Sequence, residues 1–200
     1  MTENTNEWRL KGELTFDSPG VWSQVEDLYS KEDCGSIWKA YAIAAQLGAL
    51  NDWPVMRASG VSYNSRPARL MHILLTPEVN PSARILAAAA LACVSQLETH
   101  PPRDGLTQEW EVALKVQVLF APEEAGDHTI HNPDVLLVAY ARILDQLRHL
   151  HMTSLARVKR EEQVELLANL VSRLPPLDRA RRITIQIQAA LDRSQRAGRK

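Results

Sequence analysis

The first residues alternate in hydrophobicity with a period of two. Trp8, Leu10, Gly12, Leu14 and Phe16 face one way, and Glu7, Arg9, Lys11, Glu13 and Thr15 the other. That pattern predicts a half-buried strand over residues 7 to 16. Past Asp17-Ser18-Pro19-Gly20 the apolar positions recur in steps of three and four. Ser18 and Pro19 read as a cap and a first helical residue, followed by a stripe of Val21, Trp22, Val25, Leu28 and Tyr29. A second helix is expected from Ser36 to Ala49, with Ile37, Trp38, Tyr41, Ala44, Ala45 and Gly48 on one face. Arg66 to Leu75 reads as a short apolar helix entered through Pro67. Residues 85 to 94 are apolar all round and include four consecutive alanines, which places this segment in the middle of a bundle.

Asn80-Pro81 and Asn132-Pro133 both read as cap-plus-proline helix starts. The second opens a stripe of Leu136, Leu137, Tyr140, Ile143, Leu144 and Leu147. Two more helices follow, over about 154 to 174 and from Leu177 to about Ala197, separated by Pro175-Pro176. Residues 109 to 120 fit either period. Val112, Leu114, Val116, Val118 and Phe120 alternate, whereas Trp110, Leu114 and Val118 fit a helix. Their β-branched content favours a strand, which would pair with residues 7 to 16, since solitary strands leave their backbones unsatisfied. The expected architecture is mainly α. It is a single helical domain of six to seven helices over residues 1 to 197, with a small two-stranded element (7–16 and 109–120) and a disordered tail at 198 to 200.

The stretch Leu10-Lys11-Gly12-Glu13-Leu14-Thr15-Phe16-Asp17 resembles the first strand of a sulfate-transporter/anti-sigma-antagonist domain. The resemblance implies alternating strands and helices and a serine or threonine loop after the third strand. The downstream sequence does not supply that pattern.

Composition narrows the class. With 45% hydrophobic and 24% charged residues over 200 positions, the chain has the make-up of a globular protein rather than a disordered one. No apolar run reaches the roughly 20 residues of a membrane span. The start is polar and acidic, unlike a secretory signal, and Cys34 and Cys93 show no metal or disulfide spacing. A cytoplasmic location is expected, with two reduced thiols.

Charge adds the most specific feature. The net charge of −1 hides an asymmetry: residues 1 to 150 carry 12 basic and 19 acidic residues, and residues 151 to 200 carry 11 and 5. On the final helix Arg179, Arg182, Arg193, Arg196 and Lys200 fall within about a third of the circumference. Beside them lies an arc of Ala180, Ile183, Ile187, Ala190 and Leu191. Such a stripe can contact a partner protein, follow a phosphate backbone, sit in solvent, or pack on the acidic part of its own chain.

Candidate chemistry is sparse. Four imidazoles, His128, His131, His149 and His151, raise the question of zinc. Positions two apart on a helix point about 200° from each other, so His149 and His151 do not chelate together, and the apolar stripe turns His151 inward and His149 outward. Ser36-Ile37-Trp38-Lys39 matches an S-x-x-K pattern without its K-T-G companion. Nucleotide-binding glycine loops, nucleophile elbows and zinc-protease motifs are missing. No catalytic residue, metal or cofactor is therefore assigned. The sequence leads to a protein-interaction module that acts as an adaptor, inhibitor or regulator. Its partner is expected to be another protein, or a second copy in a homodimer, met through Arg179, Arg182, Arg193, Arg196 and Lys200. Nucleic-acid binding by helix 177–200 is the alternative, and a helical metalloprotein or enzyme the second alternative.

Overall fold

A computed structural model describes residues 18–50, 66–94, 97–100, 102, 105–121, 131–150 and 157–198. Among these there are eight α-helices and no strand. In chain order they are α1 (Ser18–Leu28), α2 (Lys31–Leu50), α3 (Arg66–Leu74), α4 (Ala83–Leu91), α5 (Thr107–Phe120), α6 (Pro133–Leu150), α7 (Arg157–Arg173) and α8 (Arg181–Gly198). Single 3-10 turns lie at Leu97–Thr99 and Asp178–Ala180.

Two helices carry the core. All ten residues from Ile85 to Val94 are buried, so the apolar α4 does occupy the centre, against α2, α3, α5 and α6. Alanine is the strongest helix former, and its short side chain lets neighbouring helices come close. The cap here is Ser82, whose side chain accepts from the Ile85 N–H. Asn80 instead takes a left-handed conformation (φ 41°) that turns the chain into the helix. Sequence placed the start two residues early, because the Asn-Pro pair serves the turn. The second hub, α6, packs on α3, α4, α5, α7 and α8. Here Asn132-Pro133 works as read: the Asn132 side-chain oxygen accepts from the N–H groups of Asp134 (2.9 Å) and Val135 (3.4 Å). Asp134 near the start and Arg148 near the end suit the helix dipole.

Residues 109 to 120 are helical, and the strand reading is overturned. Trp110, Ala113 and Val116 are buried at steps of three, while the alternate set splits: Val112 is buried and Val118 is exposed. The β-branched preference is weak, about 1 kcal/mol over its whole range, and packing against α4 and α6 outweighs it. The partner strand predicted for residues 7 to 16, with its resemblance to an anti-sigma-antagonist domain, lies outside the described residues.

The second helix begins five residues before the predicted Ser36. Ser30 caps it, accepting from the Asp33 N–H at 3.2 Å, with Glu32 and Asp33 in the first turn. Its buried face is Ile37, Ala40, Ile43, Ala44 and Leu47, rotated from the predicted one. Trp38 is 43% exposed and stacks on Trp22, their rings 3.6 Å apart and 6° from parallel. Leu28, predicted to be on the α1 stripe, is also exposed. Long-range polar bonds join the helices: Tyr29 donates to the Pro81 carbonyl (2.6 Å) and Tyr140 to the Pro175 carbonyl (2.9 Å). The last helix reaches Gly198, into the predicted tail, and residues 199 and 200 lie outside the described set.

The packing of α4 makes a quantitative prediction. Ala88→Leu inserts three carbons where exposure is zero, and overpacking of this kind costs about 1–3 kcal/mol. The same change at the exposed Ala189 should stay within about 0.5 kcal/mol. Urea unfolding of the two variants beside the parent measures both.

Candidate functional site

The predicted arginines divide by what they touch. Arg179, in the 3-10 turn before α8, donates through Nε and Nη2 to the Val79 carbonyl (3.0 and 2.7 Å). Its Nη2 also reaches the Asn80 carbonyl (2.7 Å). The left-handed Asn80 presents these oxygens, and the planar guanidinium fork engages both. Arg182, one turn on, meets both carboxylate oxygens of Glu78 at 3.2 Å. Both side chains are more than half exposed, so the pair adds little stability. Arg193 is exposed, and the side chains of Arg196 and Lys200 lie outside the described set. The structure thus brings Arg179 and Arg182 together on the turn before α4.

A buried ionic cluster, absent from the sequence reading, joins α3 to α6. Asp145 sits one turn from the end of α6 at 2% exposure. Its Oδ1 accepts from Arg69 Nε at 2.8 Å and its Oδ2 from Arg69 Nη2 at 3.3 Å. Arg66 Nε stands 3.6 Å from Oδ2. His149, one turn further, places Nδ1 2.7 Å from the Asp145 carbonyl and 3.4 Å from Oδ1. Burial alone would raise the Asp145 carboxyl, but the arginines, Arg69 foremost, hold it below the usual carboxylate range. Burial pushes His149 down, against the pull of Asp145. The ring is then neutral, with Nδ1 donating to the carbonyl, and its buried Nε2 has no hydrogen-bond partner among the described residues.

A general base needs a pKa near the working pH, and Asp145 is driven the other way. Its role is to fix the crossing of α3 on α6. The predicted orientation of His149, outward, is corrected: α6 is buried over most of its circumference, so the stripe did not separate inside from outside. An Asp and a His four apart on an otherwise apolar helix, together with Arg66-x-x-Arg69 amid apolar neighbours, was the available signal.

Both cysteines are free. Cys93 is buried beneath the same cluster, and burial raises its thiol to about 11. Cys34 is half-buried, its thiol 3.6 Å from the Val25 carbonyl and 3.7 Å from that of Tyr29. Among the predicted metal ligands, His131 is exposed, and His128 and His151 lie outside the described residues. No group of three or more His, Cys, Asp or Glu side chains suited to a metal occurs among the described residues. No described helix is long and apolar enough to cross a membrane.

An open groove of about 350 Å³ lies between the end of α5 and α7. Leu119, Phe120, Leu166 and Leu170 line it, with Glu162, Glu165 and Arg173 at its edges. Arg142 holds the Phe120 ring from behind, its guanidinium carbon 4.2 Å from the ring centroid, while donating to the Ala92 carbonyl. On α7, positions 158, 162, 165, 166, 169 and 173 fall within about 100° of arc. Val158, 64% exposed, therefore continues the grooved face. Comparison with protein-family models, with curated proteins and with solved structures found no match.

Three outcomes test the buried cluster. Asp145→Ala leaves two guanidinium groups in the interior without their carboxylate, and should lower stability by about 3–5 kcal/mol in denaturant unfolding. The depressed His149 makes folding sensitive to acid. In the unfolded chain it takes a proton near pH 6.5, and the folded chain resists that proton. Its contribution is complete above that pH and falls as the pH drops below it. The depressed Asp145 adds a further loss only below the ordinary carboxylate range. Thermal midpoints should decline from pH 7 to pH 5, and His149→Gln should flatten that limb. With a thiol reagent at pH 8, Cys34 should react in the folded protein and Cys93 only after unfolding.

Proposed function

We propose that the protein is an interaction module that takes up an amphipathic helix of a partner protein in the groove between α5 and α7. The observation that carries this reading is an open trough lined by Leu119, Phe120, Leu166 and Leu170, with exposed Val158 on the same face of α7. Leucine and phenylalanine side chains at an open groove offer apolar contact to a partner. A groove between helices suits a helix read through apolar anchors at three- and four-residue steps. Glu162 and Glu165 stand on one helix face at the edge, and Arg173 is the one cation among the described lining residues. A partner helix with basic residues beside its apolar stripe matches that charge.

Adaptor, inhibitor and regulator roles all work through such a surface, and a cytoplasmic setting agrees with two free thiols. The terminal arginines enter this reading in a secondary way. Arg179 and Arg182 bind the turn before α4, and Arg193 adds an exposed cation for a partner or for nucleic acid.

Fluorescence anisotropy with two labelled helical peptides tests the proposal. Both carry one leucine stripe, flanked by lysines in one and by glutamates in the other. The lysine peptide should bind more tightly, on the order of tenfold, which corresponds to about 1.4 kcal/mol. Leu166→Glu should remove that binding, and Glu162→Lys with Glu165→Lys should reverse the preference. Circular dichroism should show both variants folded, since all three side chains are exposed. Equal binding of the two peptides, or binding untouched by Leu166→Glu, overturns the reading. So does a dimer that occupies the groove, or tight binding of duplex DNA with the peptides inert.

A further inference from the structure

A second cavity, away from the groove, lies where α3, α6 and α8 meet. It measures about 120 Å³ and is lined by His72, Thr76, Arg148, Arg182, Ile183 and Gln186. That is room for several waters, and so for one tetrahedral oxyanion. Ile183 and the adjacent Ile73 are buried and make the apolar wall. The polar wall is cationic. Arg148 Nη2 donates to Gln186 Oε1 at 3.1 Å, which fixes the guanidinium at the edge. Arg182 enters from α8, and His72 from α3.

The Glu78 carboxylate faces this wall from the loop after α3, 3.2 Å from Arg182 through both oxygens. It is not part of the cavity lining. The pair is more than half exposed, so solvent screens it and a competing anion displaces it at little cost. Backbone hydrogen bonding, and then Arg182, hold Glu78 below the ordinary carboxylate range. Burial, then the neighbouring Arg148, push His72 down. Arg148 and Arg182 give the cavity a cationic lining, complementary to negative charge.

We propose that this cavity binds a phosphate group, as inorganic phosphate or as the phosphoryl end of a small phosphomonoester, between Arg148 and Arg182. Two guanidinium groups match the oxygens of a tetrahedral phosphate with charge-assisted, forked hydrogen bonds. His72 adds an imidazole donor once the anion restores its proton. Glu78 competes for Arg182 from outside the cavity, and a phosphate inside it offers that guanidinium a second anionic partner. The inference does not depend on the groove between α5 and α7.

Calorimetric titration at fixed ionic strength tests it, with inorganic phosphate, a hexose phosphate and a single-stranded oligonucleotide as separate titrants. Arg182→Gln should weaken phosphate binding on the order of tenfold, the loss of hydrogen bonds to a charged group. Glu78→Gln, which removes the competitor, should tighten it. Arg181→Gln, an exposed neighbour outside the cavity, should change nothing. In proton NMR the His72 titration should move up when phosphate is present. Tighter binding of the hexose phosphate than of inorganic phosphate identifies the phosphomonoester as the source, and the reverse identifies the free ion. No heat with either, equal losses for Arg181→Gln and Arg182→Gln, or binding of the oligonucleotide alone overturns the proposal.

Discussion

Asp145 is where the packing of this protein is decided. A carboxylate at 2% exposure needs compensation within hydrogen-bond reach, and Arg69 and Arg66 supply it from a helix 76 and 79 positions earlier in the chain. Apolar contacts between α3 and α6 would tolerate a slide along either helix. A forked ion pair does not, because each guanidinium nitrogen has one place to stand. Once that crossing is fixed, α4 has a defined slot beside both helices, and α5 and α8 close over α6.

The same economy governs the smaller polar contacts. Arg142 caps the end of the α4 segment through the Ala92 carbonyl and supports the Phe120 ring. Arg84 bridges Gln108 and Asp134, joining α4 to the starts of α5 and α6. Gln117 donates to the Val94 carbonyl. Each of these bonds meets a helix end or an exposed edge, where backbone groups lack intrahelical partners.

The helical class, the central alanine-rich helix and the Asn132 start were legible in the chain, because each rests on local rules: period, propensity and cap chemistry. Residues 109 to 120 were not, since their pattern satisfies two periods and the neighbours that choose between them are distant in sequence. Trp38 shows the same limit. Its position next to Ile37 suited either of two helix faces, and only the packing of α2 on α4 turns one of them outward. The ionic cluster was hidden for a different reason. Charged residues usually read as surface, and no periodic rule tells a buried arginine from a solvated one until its carboxylate is found. The arginine stripe was visible as a row of like charges. That one member grips a carbonyl pair, another a glutamate and a third faces water follows from the turn at residues 76 to 80, which the stripe itself does not encode.

The Arg179 clamp on Val79 and Asn80 closes a loop of 100 residues. During synthesis the turn before α4 emerges long before the guanidinium that will hold it. The central helix must then take its place against α2 and α3 with its entry turn unsecured, until the chain around Arg179, 100 residues further on, has been made and locks that arrangement. Contacts of this sequence separation slow folding, so a nascent chain passes through a stage in which its core has formed and its latch has not. A truncation that ends before Arg179 would leave the protein permanently at that stage.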